Sequence, residues 1–350
     1  MEEAKVHLLR VSPPFPGGFD TASVVPNAKG MSDQEMQEIA ARHNHISGFV
    51  FPAPAGADYL DYEIRFSAPY YEVDMCSHAM IGTVWLLSKL GMMPRDDVRM
   101  ITKGGHIEAR IKKITDNTDS AEDSIWVEFF HPKPAFLSDV SPEHAKAILS
   151  DLDISRDDME PGLPIQNVGT HKVKTLLAVN SVETLNSLEL EHRRVKKLCN
   201  KVKSTALYVY AIVDRRQHVY EARQVPRHAG YWEDTASALA FVLLLNCFIK
   251  HADPKIKIRQ GSSEGRSCET NVRFRRRGDE LVGTWIGGTA EFETEKEEIE
   301  KEETKKEETK KEETEKEKTE KEETEKEETE KEETEEEETE ETKTTEDDTW

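Results

Sequence analysis

Two segments constrain this chain more than anything else in it. His78–Leu90 (HAMIGTVWLLSKL) and Thr235–Ile249 (TASALAFVLLLNCFI) read as helices that are apolar nearly all round. A helix of that kind has no polar stripe to turn to water, so other structure has to surround it. Each follows a β-like stretch and is entered through an acid-then-small-residue turn. The first entry is Glu72-Val73-Asp74-Met75-Cys76-Ser77-His78-Ala79 and the second is Glu233-Asp234-Thr235-Ala236-Ser237-Ala238. Ser77 and Ser237 stand about half a globular body apart. The pattern predicts an internal duplication: two similar domains, each a strand-rich shell around one central helix.

The charge of the chain, −22, sits almost wholly in one place. Glu293–Trp350 holds 31 acidic residues and 12 lysines, which leaves a body of net −3. Without a basic excess the body lacks the electrostatic footprint of a nucleic-acid binder. Its longest near-continuous apolar run, Ala236–Ile249, is interrupted by Ser237 and Asn246 and falls short of the roughly 20 residues of a membrane span. Neither nucleic acid nor membrane is therefore expected as a partner. The Met1–Lys5 stretch has no basic or apolar leader character, and the four cysteines lack CxxC spacing, so a reducing, cytoplasmic setting is expected.

In the acidic segment threonine recurs every five residues from Thr304 to Thr339. Five residues advance a helix by about 500°, so no continuous face is drawn, and the repeat offers nothing apolar for a seam. It reads as a solvated, disordered tail able to meet basic partners. Three regions follow: 1–134, 135–292 and the tail 293–350. Within the body, Ser32-Asp33-Gln34-Glu35 is a capping box that opens a helix through about His43. Ser124–Phe130, Ala206–Val213 and His218–Arg223 have strand composition, and Arg273, Arg275 and Arg277 alternate as the wet face of another strand.

The two helix starts are where chemistry would concentrate. Unsatisfied backbone N–H groups there suit a carboxylate or an enolate oxygen. If the halves face each other, His78 would flank one side of a shared cleft and Asp234 with Ser237 the other. That set suits proton abstraction beside a carboxyl group. The same residues also read as plain helix caps and a hydrogen-bonded core histidine.

Arg65-Phe66-Ser67-Ala68-Pro69, followed by Glu72 through Ala79, resembles the R-F-(F)-T-P…E-x-x-x-(C)-G-H-A segment of the PhzF family of phenazine-biosynthesis-like isomerases. Met36–Ala40 is similar to its M-Q-x-I-A helix, Ala222–Asp234 to its A-R-x-F-x-P…G-x-x-E-D, and Thr235–Ala238 to its T-G-S-A. Gln260-Gly261…Gly265-Arg266-Ser267 and Ile286–Ala290 match two further segments in the same order. The resemblance implies a diaminopimelate-epimerase-like fold of α+β class, two pseudo-symmetric domains each with a strand-rich, barrel-like sheet around a central buried helix, with an active site in the interdomain cleft, often in a homodimer. It implies proton transfer on a small carboxylated substrate with no metal and no organic cofactor. Carried over by position, His78, Asp234 and Ser237 match the family's cleft histidine, aspartate and serine.

The departures fall on the cleft. The family's glutamate acid/base lies in an S-E-T-x-F stretch, where this chain has His45-Ile46-Ser47-Gly48-Phe49, so Ile46 or Ser47 holds that position. His43 and His45 are the nearest titratable substitutes; His45 is the candidate base and also reads as a solvated loop histidine. The G-N-P near the N-terminus has become Gly17-Gly18-Phe19-Asp20, and Ser77 replaces the glycine of G-H-A. Cys76 matches the cysteine that racemases of this fold pair with a second thiol, but Ser237 stands opposite. It also reads as a buried structural thiol.

The expected catalytic set is Asp234, His78 and His45, with Ser237, Ser77, Cys76 and Ser47 binding substrate. The leading expectation is an isomerase of secondary metabolism acting on a small carboxylated or enolisable molecule. The rivals are a cyclase or lyase that needs only polarisation, and a pseudoenzyme whose tail binds a basic partner.

Overall fold

The computed structural model describes residues 5–11, 20–114, 124–132, 136–169, 173–227, 255–260 and 268–293. The second central helix expected at Thr235–Ile249 and the acidic tail lie outside these residues.

The first half begins with β1 (His7–Val11) and β2 (Asp20–Val25). α1 (Asp33–His43) leads to β3 (Ser47–Pro52), β4 (Tyr62–Ala68) and β5 (Tyr71–Val73). α2 (Ser77–Lys89) precedes β6 (Asp97–Thr102), β7 (Gly105–Ile114) and β8 (Ser124–Pro132). The second half runs through β9 (Phe136–Asp139), α3 (Pro142–Asp151), β10 (Gln166–Gly169) and β11 (Val173–Val179). α4 (Val182–Ser187), α5 (His192–Lys201), β12 (Ala206–Asp214) and β13 (Val219–Pro226) follow. β14 (Ile256–Gln260), β15 (Cys268–Arg277), β16 (Glu280–Gly288) and β17 (Ala290–Phe292) complete it.

The duplication is written into the strand directions. In the first half β2 pairs parallel with β3, β3 antiparallel with β4, β4 parallel with β6, and β6–β7–β8 antiparallel. The second half repeats this sequence of directions with β11, β12, β13, β14, β15 and β16. Each parallel step needs a crossover rather than a hairpin. α1 supplies the first between β2 and β3, and α2 the one between β4 and β6.

The halves then exchange their last strands. β8 pairs antiparallel with β16, from Val127 opposite Gly288 to Pro132 opposite Gly283. Past β16 the chain crosses Thr289 into β17, which pairs with β1. Past β8 it reaches β9, which pairs with β10. Following the pairings from β1 through β2, β3, β4, β6, β7 and β8 to β16 and β17 therefore returns to β1. The first ring closes only with a strand borrowed from the end of the body.

α2 fills that ring. Its residues from Ser77 to Leu87 are all buried, and the cluster around Met80, Ile81, Val84 and Leu86 takes in Leu9, Val24, Phe66, Met100, Ile111, Phe129 and Ile286. Burying side chains of this size contributes roughly 1.5–3 kcal/mol each. The helix ends at Gly91 (φ 67°), where Met92 N–H reaches Leu87 O and Gly91 N–H reaches Ser88 O, a Schellman motif. Two glycines set how near the helix comes. A Cβ on Gly82 would meet Val11 at 3.1 Å and Leu9 at 3.3 Å, and one on Gly48 of β3 would overlap Thr83 Oγ1, itself bonded to Ala79 O at 2.7 Å.

On the outer face, α1 covers β2 and β3 with Met36 and Ile39 against Val25 and Phe49. Its capping box forms as the sequence reads, Ser32 with Glu35, and it ends at Asn44 in the left-handed region (φ 54°). In the second half, α3, α4 and α5 pack Ile148, Leu185, Val195 and Leu198 onto Leu177, Val179 and Val209. The opposite face of that sheet carries Tyr208, Tyr210, Ile258 and Phe274.

A buried ion cluster sits at the seam between the halves. Glu128 of β8, 5% exposed, accepts two bonds from Arg273 of β15 (2.9 and 2.7 Å) and one from Lys112 of β7 (2.8 Å). Burial pushes this carboxyl up, but the Arg273 fork and Lys112 outweigh it and hold the group down at about 2, against 4.5 for a free glutamate. Trp126 lies across Gly287 and Phe130 across Gly283, two positions where a Cβ would collide.

Two expectations follow. Gly48→Ala lowers the Tm by several degrees, and Thr83→Ala restores part of the loss in the double variant, read as a coupling in a thermal double-mutant cycle. Because the folded pKa of Glu128 is depressed, its stabilisation is whole above pH 4.5 and drains as pH falls toward about 2. Glu128→Gln should flatten that part of an acid-unfolding curve.

Candidate active site

The first turn of α2 gathers three of the sequence-predicted site residues. Cys76 is the N-cap, extended (φ −136°, ψ 125°), and its side chain makes no capping bond. The first amide bonded back into the helix is Met80, to Cys76 O at 2.9 Å. Cys76, Ser77 and His78 are all buried. Cys76 Sγ lies 3.2 Å from His78 Nδ1 and 3.8 Å from Nε2, so a thiol and an imidazole are in direct contact at the positive end of a buried helix. The turn is held from behind by Gly104, whose N–H donates to Asp74 O at 2.9 Å and whose Cβ position is blocked by Asp74 and Met75.

The acidic residue before this turn is committed elsewhere. Glu72 accepts from Arg65 Nε at 2.7 Å and Lys103 Nζ at 3.2 Å, and Arg65 also reaches Asp33 at 2.8 Å. The Arg65 bond first, then Lys103, hold the Glu72 carboxyl below the ordinary range despite partial burial. It is an ionised anchor for the β4–β5 hairpin rather than a proton shuttle.

The stretch at the family's glutamate position divides between two faces. Ile46 packs against the core cluster that holds α2. Ser47, fully buried, lies on the face shared with Phe49, and its hydroxyl meets Ser23 of β2 at 2.5 Å. Ser47 is also directly opposite Ser67 of β4, so three buried serines cross three strands in register. His45 is half-buried, with Nδ1 3.2 Å from Thr21 Oγ1 of β2. Phe49 and Phe51 belong to the α1 layer.

Asp234 and Ser237 lie outside the described residues, so only the α2 side of the expected cleft is drawn. The serine row Ser23–Ser47–Ser67 was not singled out from sequence; its only signal is a hydroxyl on each of three strands. Among the described residues no group of three His, Cys, Asp or Glu side chains is arranged to hold a metal ion. No described helix is long and apolar enough to cross a membrane.

The comparisons fit this fold. The family model for phenazine biosynthesis-like proteins matches residues 12–296. An uncharacterized isomerase of Clostridium acetobutylicum is 26% identical over 278 residues, covering 77% of this chain and 89% of that protein. The crystal structure of a Bacillus anthracis phenazine biosynthesis protein of the PhzF family superposes with a TM-score of 0.70 at 19% identity, over 83% of this chain and 96% of that one. A predicted epimerase of Pseudomonas aeruginosa gives 0.65 at 17% identity, over 83% and 98%. The structural matches establish a shared fold, of diaminopimelate-epimerase-like α+β class.

The division of faces yields a stability test. Ser47→Glu places a carboxylate in a fully buried hydroxyl row and should cost several degrees of Tm, whereas Ile46→Glu, at a half-buried position, costs less. Thermal unfolding of the two variants side by side decides it.

Proposed function

The chain belongs to the phenazine biosynthesis-like protein family, and on that premise we propose that it is an isomerase that moves a proton on a small carboxylated or enolisable molecule. The observation that carries the proposal is the Cys76–His78 contact at the uncapped start of a buried helix. Relatives named as isomerases support the reaction class.

In this reading the amides of Ser77, His78 and Ala79 hold the substrate's carboxylate or enolate oxygen, where the helix dipole favours negative charge. An imidazole nitrogen of His78 accepts the proton from the substrate carbon, and the electron pair left behind moves into the adjacent carbonyl as an enolate. Cys76 Sγ, in contact with both ring nitrogens, positions the ring. On a substrate with a C=C bond beside that carbon the enolate is a dienolate; the imidazolium, its proton exchanged with solvent, protonates the far carbon as the double bond shifts, and the step balances without a co-reactant. Asp234 and Ser237, which the sequence resemblance assigns to the cleft, bind the substrate or relay the proton, and His45 serves as the alternative base. The division into domains at 1–134 and 135–292, a cytoplasmic location, a homodimeric assembly and a basic partner for the tail stand with this proposal.

Ile46 favours one second reading. An apolar side chain packed on the α2 core, where the family places a carboxylate, suits a site that polarises a substrate without shuttling its proton, as a cyclase or lyase would.

Incubating enolisable carboxylic acids with the full chain in D2O separates the two. An isomerase incorporates carbon-bound deuterium, read by mass spectrometry, and His78→Ala lowers the rate by at least 10²-fold. Ile46→Glu should raise the exchange rate. Turnover without deuterium supports the lyase reading. Exchange unchanged in both His78→Ala and Asp234→Asn overturns the mechanism.

A further inference from the structure

The outer face of the first ring, opposite the face that packs on α2, carries a groove of about 620 Å³. That volume lies in the range of small-molecule sites. Its walls hold four arginines: Arg95 just before β6, Arg99 in β6, Arg110 from β7 and Arg275 from β15. Trp285 of β16 lies at its base, 2% exposed.

Two of the guanidinium groups are fixed in place by that ring. Arg110 Cζ stands 4.3 Å from the Trp285 centroid and Arg275 Cζ 5.4 Å, with Phe130 4.5 Å from Arg275. Stacking removes the rotational freedom that an arginine otherwise loses when it binds. Four carboxylates, Asp58, Asp61, Asp97 and Glu108, stand beside the four arginines, but they leave guanidinium donors spare. Asp97 takes Arg110 through Nε (2.8 Å), Glu108 takes one Nη of Arg275 (2.9 Å), and Asp61 takes one Nη of Arg95 (2.9 Å). Among the described residues, the guanidinium of Arg99 and both terminal nitrogens of Arg110 have no partner. Forks held rigidly and left with spare donors match a planar or tetrahedral oxyanion.

We propose that this groove is an oxyanion-binding site, separate from the start of α2, for a small polyanion such as a phosphate ester or a polycarboxylate. Arg99 and Arg110 take the oxyanion, and Arg275 and Arg95, each paired with a carboxylate, line the rest of the groove. Asp58 and Tyr59, both exposed on the lip, limit the ligand to small molecules that enter end-on.

The test uses the full chain, with inorganic phosphate and citrate as separate probes. Each titration is followed by Tm and by tryptophan fluorescence, with sodium chloride at matched ionic strength as the control. A saturable rise in Tm with a fluorescence change, absent in the salt control, is expected for at least one probe. Phosphate alone would identify a phosphate ester, citrate alone a polycarboxylate, and both would identify the shared oxyanion chemistry. Arg99→Gln, an exposed position, should weaken the apparent affinity at least tenfold with the unliganded Tm unchanged. Arg110→Gln should weaken it further, and the control Arg277→Gln, outside the groove, should leave it alone. No saturation with either probe, or saturation that survives Arg99→Gln and Arg110→Gln, overturns the proposal.

Discussion

β8 and β16 pair over six residues of each strand, Val127–Pro132 against Gly283–Gly288, and both halves of the body depend on that contact. Without β16, the first ring stops at β8 on one side and at the short β17 on the other, leaving two open edges. Open edges of that kind invite pairing with other chains. The contact is reinforced from outside by a charged clamp and by two aromatic rings laid over glycines. Glu128 draws its ligands from β7 and β15, one in each half, so the ion cluster ties the halves as well as the strands. Removing one partner would strand a buried charge, which is why such a cluster specifies an arrangement even where its net stabilisation is small.

The closed ring explains the state of α2. A helix inside a closed sheet meets side chains on every side, so it has no position at which a polar residue can reach water except at its ends. Polar chemistry is thereby pushed to the first turn, where the backbone amides are unpaired and where Cys76, Ser77 and His78 cluster. Gly82 and Gly48 work to the same end, since they let the helix approach β1 and β3 closely enough to fix the height of that turn. A site built this way is positioned by packing at a distance from itself.

Much of this was legible in the chain. The capping box at Ser32–Glu35 is local chemistry, and α1 begins and ends where it says. The all-round apolar character of α2 predicted its burial, and the strands β8, β12 and β13 match their composition. The strand exchange was not legible, because residues 127–132 and 283–288 are paired across more than 150 positions and no local signal names a partner. The arginines of β15 read correctly as an outward face, yet sequence did not show that Arg273 is spent on Glu128 while Arg275 stacks over Trp285. At the site, the identity of the residue in the glutamate position turned on a one-residue register. The two candidates face opposite ways: Ile46 meets the α2 core and Ser47 belongs to the hydroxyl row.

That register bears on what the site can still do. Binding an enolate and moving a proton are separate demands, met by different groups. The first rests on backbone amides, which no side-chain substitution removes, and the uncapped start of α2 retains them. The second rests on a titratable group within reach of the substrate carbon. With Ile46 apolar and Glu72 held ionised by Arg65, neither of those positions supplies it. The titratable groups left in the first turn are the thiol and imidazole of Cys76 and His78, already in contact. In the proposed reaction, changing the base while keeping the anion site alters which carbon acids can react, since the driving force for proton transfer follows the basicity of the group that accepts it. The sequence departures from the family thus bear on substrate range more than on fold, and the fold's own constraints, the shared strands and the enclosed helix, are the part that has been kept.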